Sequence, residues 1–290
     1  MNSGVRDRVV VVGARGQLGR RVVAQLAART SADVTGLSRE DLDVTRRELV
    51  HAALEALRPR WVVNCAAMTA VDACEHDPEG AARANMLAVR WLVEAASAVG
   101  ARVCTVSTDY VFDGTAQHPY TEVDQPNPRS VYGRTKLAGE RELRPGIDAC
   151  VRTAWLMSAD DNNMLATIDR LRREPGPLRF VDDQRGSPTS ADDVAAGIVA
   201  IVRTQLSGVV HLVNQGEASW FEVARFLLAA FGDDPERVEP IETAALARRY
   251  VAPRPAYSVL GSVVLAGAGL REPGPWQEAL GRAVSERVGG

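Results

Sequence analysis

Val9-Val10-Val11-Val12-Gly13-Ala14-Arg15-Gly16-Gln17-Leu18-Gly19 is a run of four valines that opens into three glycines spaced three apart. Four successive β-branched residues without polar alternation read as a strand buried on both faces. From Gln17 to Arg29 the apolar residues recur at helical spacing, so the glycines occupy a strand-to-helix turn. Outward from this turn the pattern repeats. Strand-like runs over Arg8–Gly13, Asp33–Leu37, Trp61–Ala66 and Arg102–Ser107 alternate with helical patterns over Gln17–Arg29, Arg46–Leu57, Ala81–Val99 and Tyr132–Leu143. Buried strands joined by helices build a parallel sheet covered on both faces, which is a doubly wound α/β fold of the Rossmann type.

Beyond residue 152 the alternation loosens, with proline joints at Pro175–Pro177, Pro253–Pro255 and Pro273–Pro275. Helices are expected over Asp192–Gln205 and Ser219–Phe231, and short strands over Val209–Val213 and Ser262–Ala266. The expected organisation is a dinucleotide-binding domain over residues 1–152 and a smaller, mainly substrate-binding lobe over 153–290. Segments near 178–205 are expected to return to the Rossmann sheet.

A chain of 290 residues with 46% hydrophobic and 24% charged residues can bury a sizeable core, which excludes disorder and fibrous classes. It carries no apolar run long enough to cross a membrane and no signal-peptide pattern at its start, so a cytoplasmic protein without membrane attachment is expected. The net charge of −3 arises from dispersed charges of both signs, and the lack of a basic block argues against a nucleic-acid partner. Cys65, Cys74, Cys104 and Cys150 form no C-x-x-C pair, and His51, His76, His118 and His211 show no ligand spacing. Free buried thiols, and histidines on surfaces or element ends, are expected rather than disulfides or a metal site.

In the glycine turn, Gly13 permits a tight bend, Gly16 lets backbone amides approach a pyrophosphate, and Gly19 lets the helix pack closely. Gln17 and Leu18 complete the loop, and Arg15 adds a charge. The second strand ends in Gly36-Leu37-Ser38-Arg39, without the acidic residue that would bind the ribose hydroxyls of NAD. Arg15 and Arg39 favour the extra phosphate of NADP(H), while Asp41 and Asp43 keep NAD(H) open as the alternative.

A second constellation carries the reaction. Thr105-Val106-Ser107-Thr108-Asp109 ends a strand, and Tyr132-Gly133-Arg134-Thr135-Lys136 places a phenol and an amine one turn apart on a helix face. Lys136 is the only lysine among 34 basic residues. With five tyrosines present, chance would set that lysine four after a tyrosine only about 2% of the time. A free tyrosine holds its proton too tightly near neutrality, and a neighbouring ammonium stabilises the phenolate. Tyr132 is therefore read as a general acid, Lys136 as its support and Thr108 as a donor to a carbonyl that becomes an alkoxide. Asn85 is either a positioning residue or an ordinary polar helix position. Trp155 either stacks on a sugar or base or fills a joint.

Taken together, these stretches resemble the extended short-chain dehydrogenases/reductases, and among them the dTDP-4-dehydrorhamnose reductase family. The likeness runs through Val62-Val63-Asn64-Cys65-Ala66-Ala67 with Thr69-Ala70-Val71-Asp72, Ser107-Thr108-Asp109-Tyr110-Val111-Phe112-Asp113-Gly114, Val131-Tyr132-Gly133-Arg134-Thr135-Lys136-Leu137-Ala138-Gly139-Glu140, Arg152-Thr153-Ala154-Trp155, Asp183-Gln184-Arg185-Gly186-Ser187-Pro188-Thr189 and Arg254-Pro255-Ala256-Tyr257-Ser258. The resemblance implies NADPH-dependent reduction of the 4-keto group of a dTDP-4-keto-6-deoxysugar, with Ser38, Asp43, Ala66, Ala67 and Lys136 joining the cofactor site. It also implies substrate contacts from Met68, Thr108, Asp109, Trp155, Gln184 and Arg254. Met68 stands where the family usually carries His or Tyr, and Met157-Ser158-Ala159-Asp160-Asp161 replaces a Tyr-Gly loop, so a secondary-metabolite sugar other than rhamnose is an alternative substrate. A non-catalytic NADP-binding regulatory subunit is the alternative of a different class. Arg20 and Arg21 occupy the stretch where some members carry a magnesium-binding glutamate, so no metal is expected and either a monomer or a homodimer fits.

Overall fold

Val9, Val10, Val11 and Val12 are all buried to 1% exposure or less in the first strand, β1 (Arg8–Val12). A computed structural model describes residues 7–160, 163–246 and 250–289. It continues through α1 (Gln17–Arg29), β2 (Asp33–Leu37), α2 (Arg47–Leu57), β3 (Trp61–Asn64), α3 (Val71–His76) and α4 (Pro78–Ala82). A single π turn, Arg83–Leu87, leads into α5 (Ala88–Ala98), followed by β4 (Arg102–Thr108), α6 (Val131–Glu140) and β5 (Ala149–Thr153). Then come β6 (Leu156–Met157), α7 (Met164–Leu171), β7 (Leu178–Val181), β8 (Arg185–Gly186), β9 (Thr189–Ser190), α8 (Ala191–Thr204) and β10 (Gly208–His211). The chain closes with β11 (Ala218–Ser219), α9 (Trp220–Ala230), β12 (Val238–Ile241), α10 (Val264–Gly267) and α11 (Trp276–Gly289).

Six strands form one sheet in the order β10-β5-β4-β3-β1-β2. β1 pairs in parallel with both β2 and β3, and β3 with β4, as the doubly wound reading requires. Strand order reverses at β1, which puts a ligand crevice at the carboxyl ends of β1 and its neighbours.

Two compact units divide the chain. One comprises residues 1–108, 131–152 and 195–210; the other comprises 109–130, 153–194 and 211–290. Each has its own core. Val10, Val12, Leu54, Val62, Leu92 and Val103 belong to the first, and Met157, Leu165, Phe180, Leu227, Trp276 and Leu280 to the second. Each fully buried side chain of this kind contributes about 1.5–3 kcal/mol.

Residues 109–130, expected within the first domain, pack with the second unit. Tyr120 exchanges backbone hydrogen bonds with Val259 and Gly261, and Glu122 accepts from Ser262 Oγ and Val263 N. Of the segment near 178–205, β7 pairs with β12 in a separate two-stranded sheet, whereas residues 195–210 join the first unit.

The strand expected over Ser262–Ala266 is instead a turn leading into α10, because Ser262 Oγ accepts from Leu265 N and starts a helical turn. The helix expected over Ala81–Val99 is present and starts earlier, at Pro78, with helical backbone throughout; its turn at Arg83–Leu87 is widened to a π turn. His211, expected at a surface or element end, ends β10 but is fully buried, with Nδ1 within 2.8 Å of Gly261 O and 3.1 Å of Tyr120 O.

Candidate active site

Gly13 sits at φ +74°, where a Cβ would lie 2.7 Å from Ala66 N, so the turn after β1 and the segment after β3 approach to a distance only glycine allows. A Cβ on Gly19 would lie 2.2 Å from Gly13 O, which makes Gly19 the residue that lets α1 close on the loop. Gly16 is the N-cap of α1 and provides no side-chain cap. The first-turn amides of α1 are thus left for an anion, reinforced by the helix dipole.

A cavity of about 620 Å³ opens at this turn. Of the residues expected at a cofactor, Gly13, Arg15, Gly16, Ser38, Arg39, Asp43, Ala66 and Ala67 line it, as does Met68 from the substrate set. Leu42, Val44, Thr45, Cys65 and Arg83 line it without having been anticipated. Gln17, Leu18, Gly19 and Lys136 lie outside the lining.

Both acids near the end of β2 are engaged locally. Asp41 accepts from the Ser38 amide and hydroxyl, and Asp43 accepts from those of Thr45; these hydrogen bonds hold both carboxyls below the usual range. Arg15 is ion-paired with Glu40, both of them solvent-exposed.

Asn64, at the end of β3, donates to Thr105 Oγ1 at 3.0 Å and accepts from Ala66 N at 3.1 Å, bracing the cavity wall. Asn85 is buried in the π turn, where its amide binds both Met68 N (2.9 Å) and Met68 O (3.0 Å) and reaches Thr135 Oγ1 at 3.2 Å. Its role is to clamp the Met68 loop to α6, and the extra residue of a π turn is what aims it there. α6 fits against this turn because a Cβ on Gly139 would lie 2.2 Å from Asn85 O.

On α6, Tyr132 and Lys136 are both buried, at 8% and 5% exposure. Lys136 Nζ donates to Val106 O at 2.6 Å on β4, two residues before buried Thr108. Burial pulls the lysine below its ordinary value, opposed by Cys150, Glu140 and Cys65. Burial also pushes the Cys65 thiol up to about 12, which keeps this cavity-lining cysteine neutral.

In the second unit, Asp109 is 2% exposed and accepts from Ser258 Oγ at 2.6 Å, which makes it an anchor for the 258 segment. Trp155, at φ +42°, stacks on Trp220 with centroids 3.7 Å apart, so one ring face that a sugar or base would need is taken. Gln184 donates to Thr243 Oγ1 at 2.8 Å and pins that loop. Arg254 is half-buried, 4.8 Å from the Tyr250 ring centroid, with Nη1 3.3 Å from Tyr110 Oη. Burial pushes Tyr110 up to about 12 despite that guanidinium. Met157 is fully buried in the core and Met68 lines the cavity; Asp161 lies outside the described residues.

The family model described as the RmlD substrate binding domain matches residues 7–288. The chain belongs to the dTDP-4-dehydrorhamnose reductase family of extended short-chain reductases. Within that family it is 42% identical, over 95% of its length and 92% of the relative's, to a dTDP-4-dehydrorhamnose reductase of Streptomyces griseus. It is 41% identical, over 96% and 95% respectively, to a probable dTDP-4,6-dihydroxy-2-methyloxan-3-one 4-ketoreductase of Streptomyces antibioticus. The crystal structure of a Bacillus anthracis dTDP-4-dehydrorhamnose reductase in complex with NADP superposes with a TM-score of 0.93 at 33% identity, covering 97% of this chain and 100% of that one. Residues 83–87, whose π turn this family member uses to hold Met68, carry no period that distinguishes them in sequence from the helix on either side.

Proposed function

We propose that this reductase uses NADPH to convert the 4-keto group of a dTDP-4-keto-6-deoxysugar to a hydroxyl, with Tyr132 as proton donor. The reading is carried by one observation: a buried phenol and a buried amine lie one turn apart on α6, with the amine bonded to the strand that ends in Thr108. The glycine cradle, the uncapped start of α1 and the adjoining cavity fit a dinucleotide. Gly13, Gly16, Gln17, Leu18 and Gly19 would hold its pyrophosphate, Ala66 and Ala67 would flank it, and Lys136 would reach the nicotinamide ribose. When bound, the reduced nicotinamide supplies the hydride that adds to C4 of the sugar.

Thr108 donates a hydrogen bond to the keto oxygen as it gains charge. Tyr132 transfers its proton to that oxygen, and the Lys136 ammonium stabilises the phenolate left behind. Arg254 binds the substrate diphosphate, for which its fork of donors is suited. Arg15, Arg39 and Arg83 on the cavity wall support NADPH over NADH, and the Bacillus anthracis relative holds NADP. Asp43 also lines the cavity, but its carboxylate already serves Thr45.

The two Streptomyces relatives match almost equally well and bear different dTDP-linked substrates in their names. What favours a sugar other than the rhamnose precursor is Met68, an apolar side chain on the cavity wall. The test is NADPH consumption with a panel of dTDP-4-keto-6-deoxysugars, product configuration being assigned by NMR. Turnover of at least one is expected. Tight cofactor binding without turnover of any would favour a non-catalytic regulatory protein instead.

A further inference from the structure

Glu140 stands one helical turn beyond Lys136, which itself stands one turn beyond Tyr132, so all three share a face of α6. Its side chain is 5% exposed and is held by Arg152 of β5, itself 4% exposed, through Nε at 3.0 and 3.2 Å and Nη2 at 2.7 Å. The same carboxylate accepts from Ser107 Oγ at 2.5 Å, and Ser107 is the residue before Thr108. One buried carboxylate therefore ties together the helix bearing Tyr132 and Lys136, the strand bearing Thr108, and the neighbouring strand β5.

We propose that Glu140 is a positioning residue for this reaction: clamped by Arg152, it sets Thr108 through Ser107 and faces the Lys136 ammonium with a negative charge. The proposal rests on the reductase reading for its consequence in turnover, but its electrostatic part is testable without turnover.

Four groups around Lys136 bear on that charge. Cys65, after β3, and Cys150, on β5, face it as thiols kept neutral by burial; Tyr132 shares its helix, and from β4 the backbone carbonyl of Val106 accepts a hydrogen bond from its Nζ. Glu140 is the carboxylate that opposes the loss of the lysine's charge on burial. A carboxylate retained in this position costs desolvation, which Arg152 and Ser107 offset by satisfying its oxygens. A purely structural brace would not need to face the lysine.

Because Lys136 is the only lysine in the sequence, lysine labelled with ¹³C at Cε gives one NMR signal whose titration reports this ammonium directly. Glu140→Gln is expected to lower its midpoint by about one pH unit, as loss of a nearby opposite charge does. Glu140→Asp is expected to recover part of that shift. Should Glu140→Gln not fold, the pair Glu140→Gln/Arg152→Met removes the stranded guanidinium and is expected to show a downward shift smaller than that of the single variant, because a like charge leaves with the carboxylate. Ser107→Ala removes the strand clamp alone: kcat is expected to fall about tenfold, KM to change less than about twofold, and the lysine midpoint to stay in place.

An unmoved lysine midpoint in folded Glu140 variants would overturn the proposal, as would a Ser107→Ala enzyme with unchanged kcat. If the wild-type protein turns over no ketosugar while Glu140→Gln still shifts the lysine, the reductase reading fails and the electrostatic role of Glu140 stands.

Discussion

The spacing of Tyr132 and Lys136, four positions apart on one helix, was legible in the sequence because it is local, and the structure places both, buried, on α6. Replacing Tyr132 by Phe removes the hydroxyl proposed to donate the proton and little volume; turnover is expected to fall about a hundredfold or more while NADPH affinity stays within about twofold, read by steady-state kinetics and fluorescence titration. Lys136→Met should separate activity from stability. Burial lowers the lysine's folded-state value, so the unfolded chain binds more protons between that value and 10.5, and stability rises with pH through this window. Below it the full cost of the buried charge is present. At pH 7, then, Lys136→Met should melt no lower than the wild type while losing turnover, measured by calorimetry beside the assay. Asp113 shows the opposite sign: hydrogen bonds from Asn127, Thr115 and Tyr120 hold it at about 2. Its stabilisation is complete above about pH 4 and is lost as pH falls through about 2. Asp113→Asn should cost about 1–2 kcal/mol at neutrality after allowance for solvent screening, and the difference from wild type should shrink towards pH 2 in acid titrations of stability. Glu140 ends a family-like stretch of the sequence, but its partners were not legible, because Ser107 and Arg152 lie 33 and 12 residues away and only folding brings them to it.

At the scale of elements, the glycine loop is the part whose sequence pattern and geometry agree most closely. Gly19 is where a methyl would meet Gly13 O at 2.2 Å, against 3.2 Å at Gly16. Gly19→Ala should force α1 away from the loop, costing about 1–3 kcal/mol and weakening NADPH binding more than tenfold. Gly16→Ala should perturb both less, and paired thermal melts and cofactor titrations of the two variants compare them. The π turn was invisible to periodicity, since its Arg-Ala-Asn-Met-Leu differs from its helical flanks by one inserted residue of backbone. The short helix α10 was misread as a strand because an apolar run of a few residues has no decisive period; in the fold the Leu265 amide bonds to Ser262 Oγ at the start of the helical turn.

At the scale of the molecule, each of the two units has a hydrophobic core among its described residues, and the borders of the units cut across the chain order. A boundary near residue 152 is suggested by the change of pattern, but residues 109–130 and 195–210 cross it in opposite directions, and nothing in their composition announces the exchange. The proposed cofactor cavity is lined wholly by residues of the first unit. NADPH at a hundredfold excess over its dissociation constant should therefore raise the stability of that unit by about 2.7 kcal/mol, seen as a ligand-dependent shift in its melting transition. A transition indifferent to NADPH would contradict the assignment of this cavity.

The sequence by itself determined the doubly wound sheet, the glycine turn and the tyrosine-lysine pair, because each depends on spacing within a dozen residues and on hydrophobic burial that periodicity records. Tertiary structure alone decided that Asn85 clamps Met68, that Asp109, Trp155 and Gln184 are engaged within their own unit, and that Glu140 links α6 to β4 and β5. Those choices are made by buried polar groups that must find partners once water is excluded, and the partners come from wherever the fold brings them.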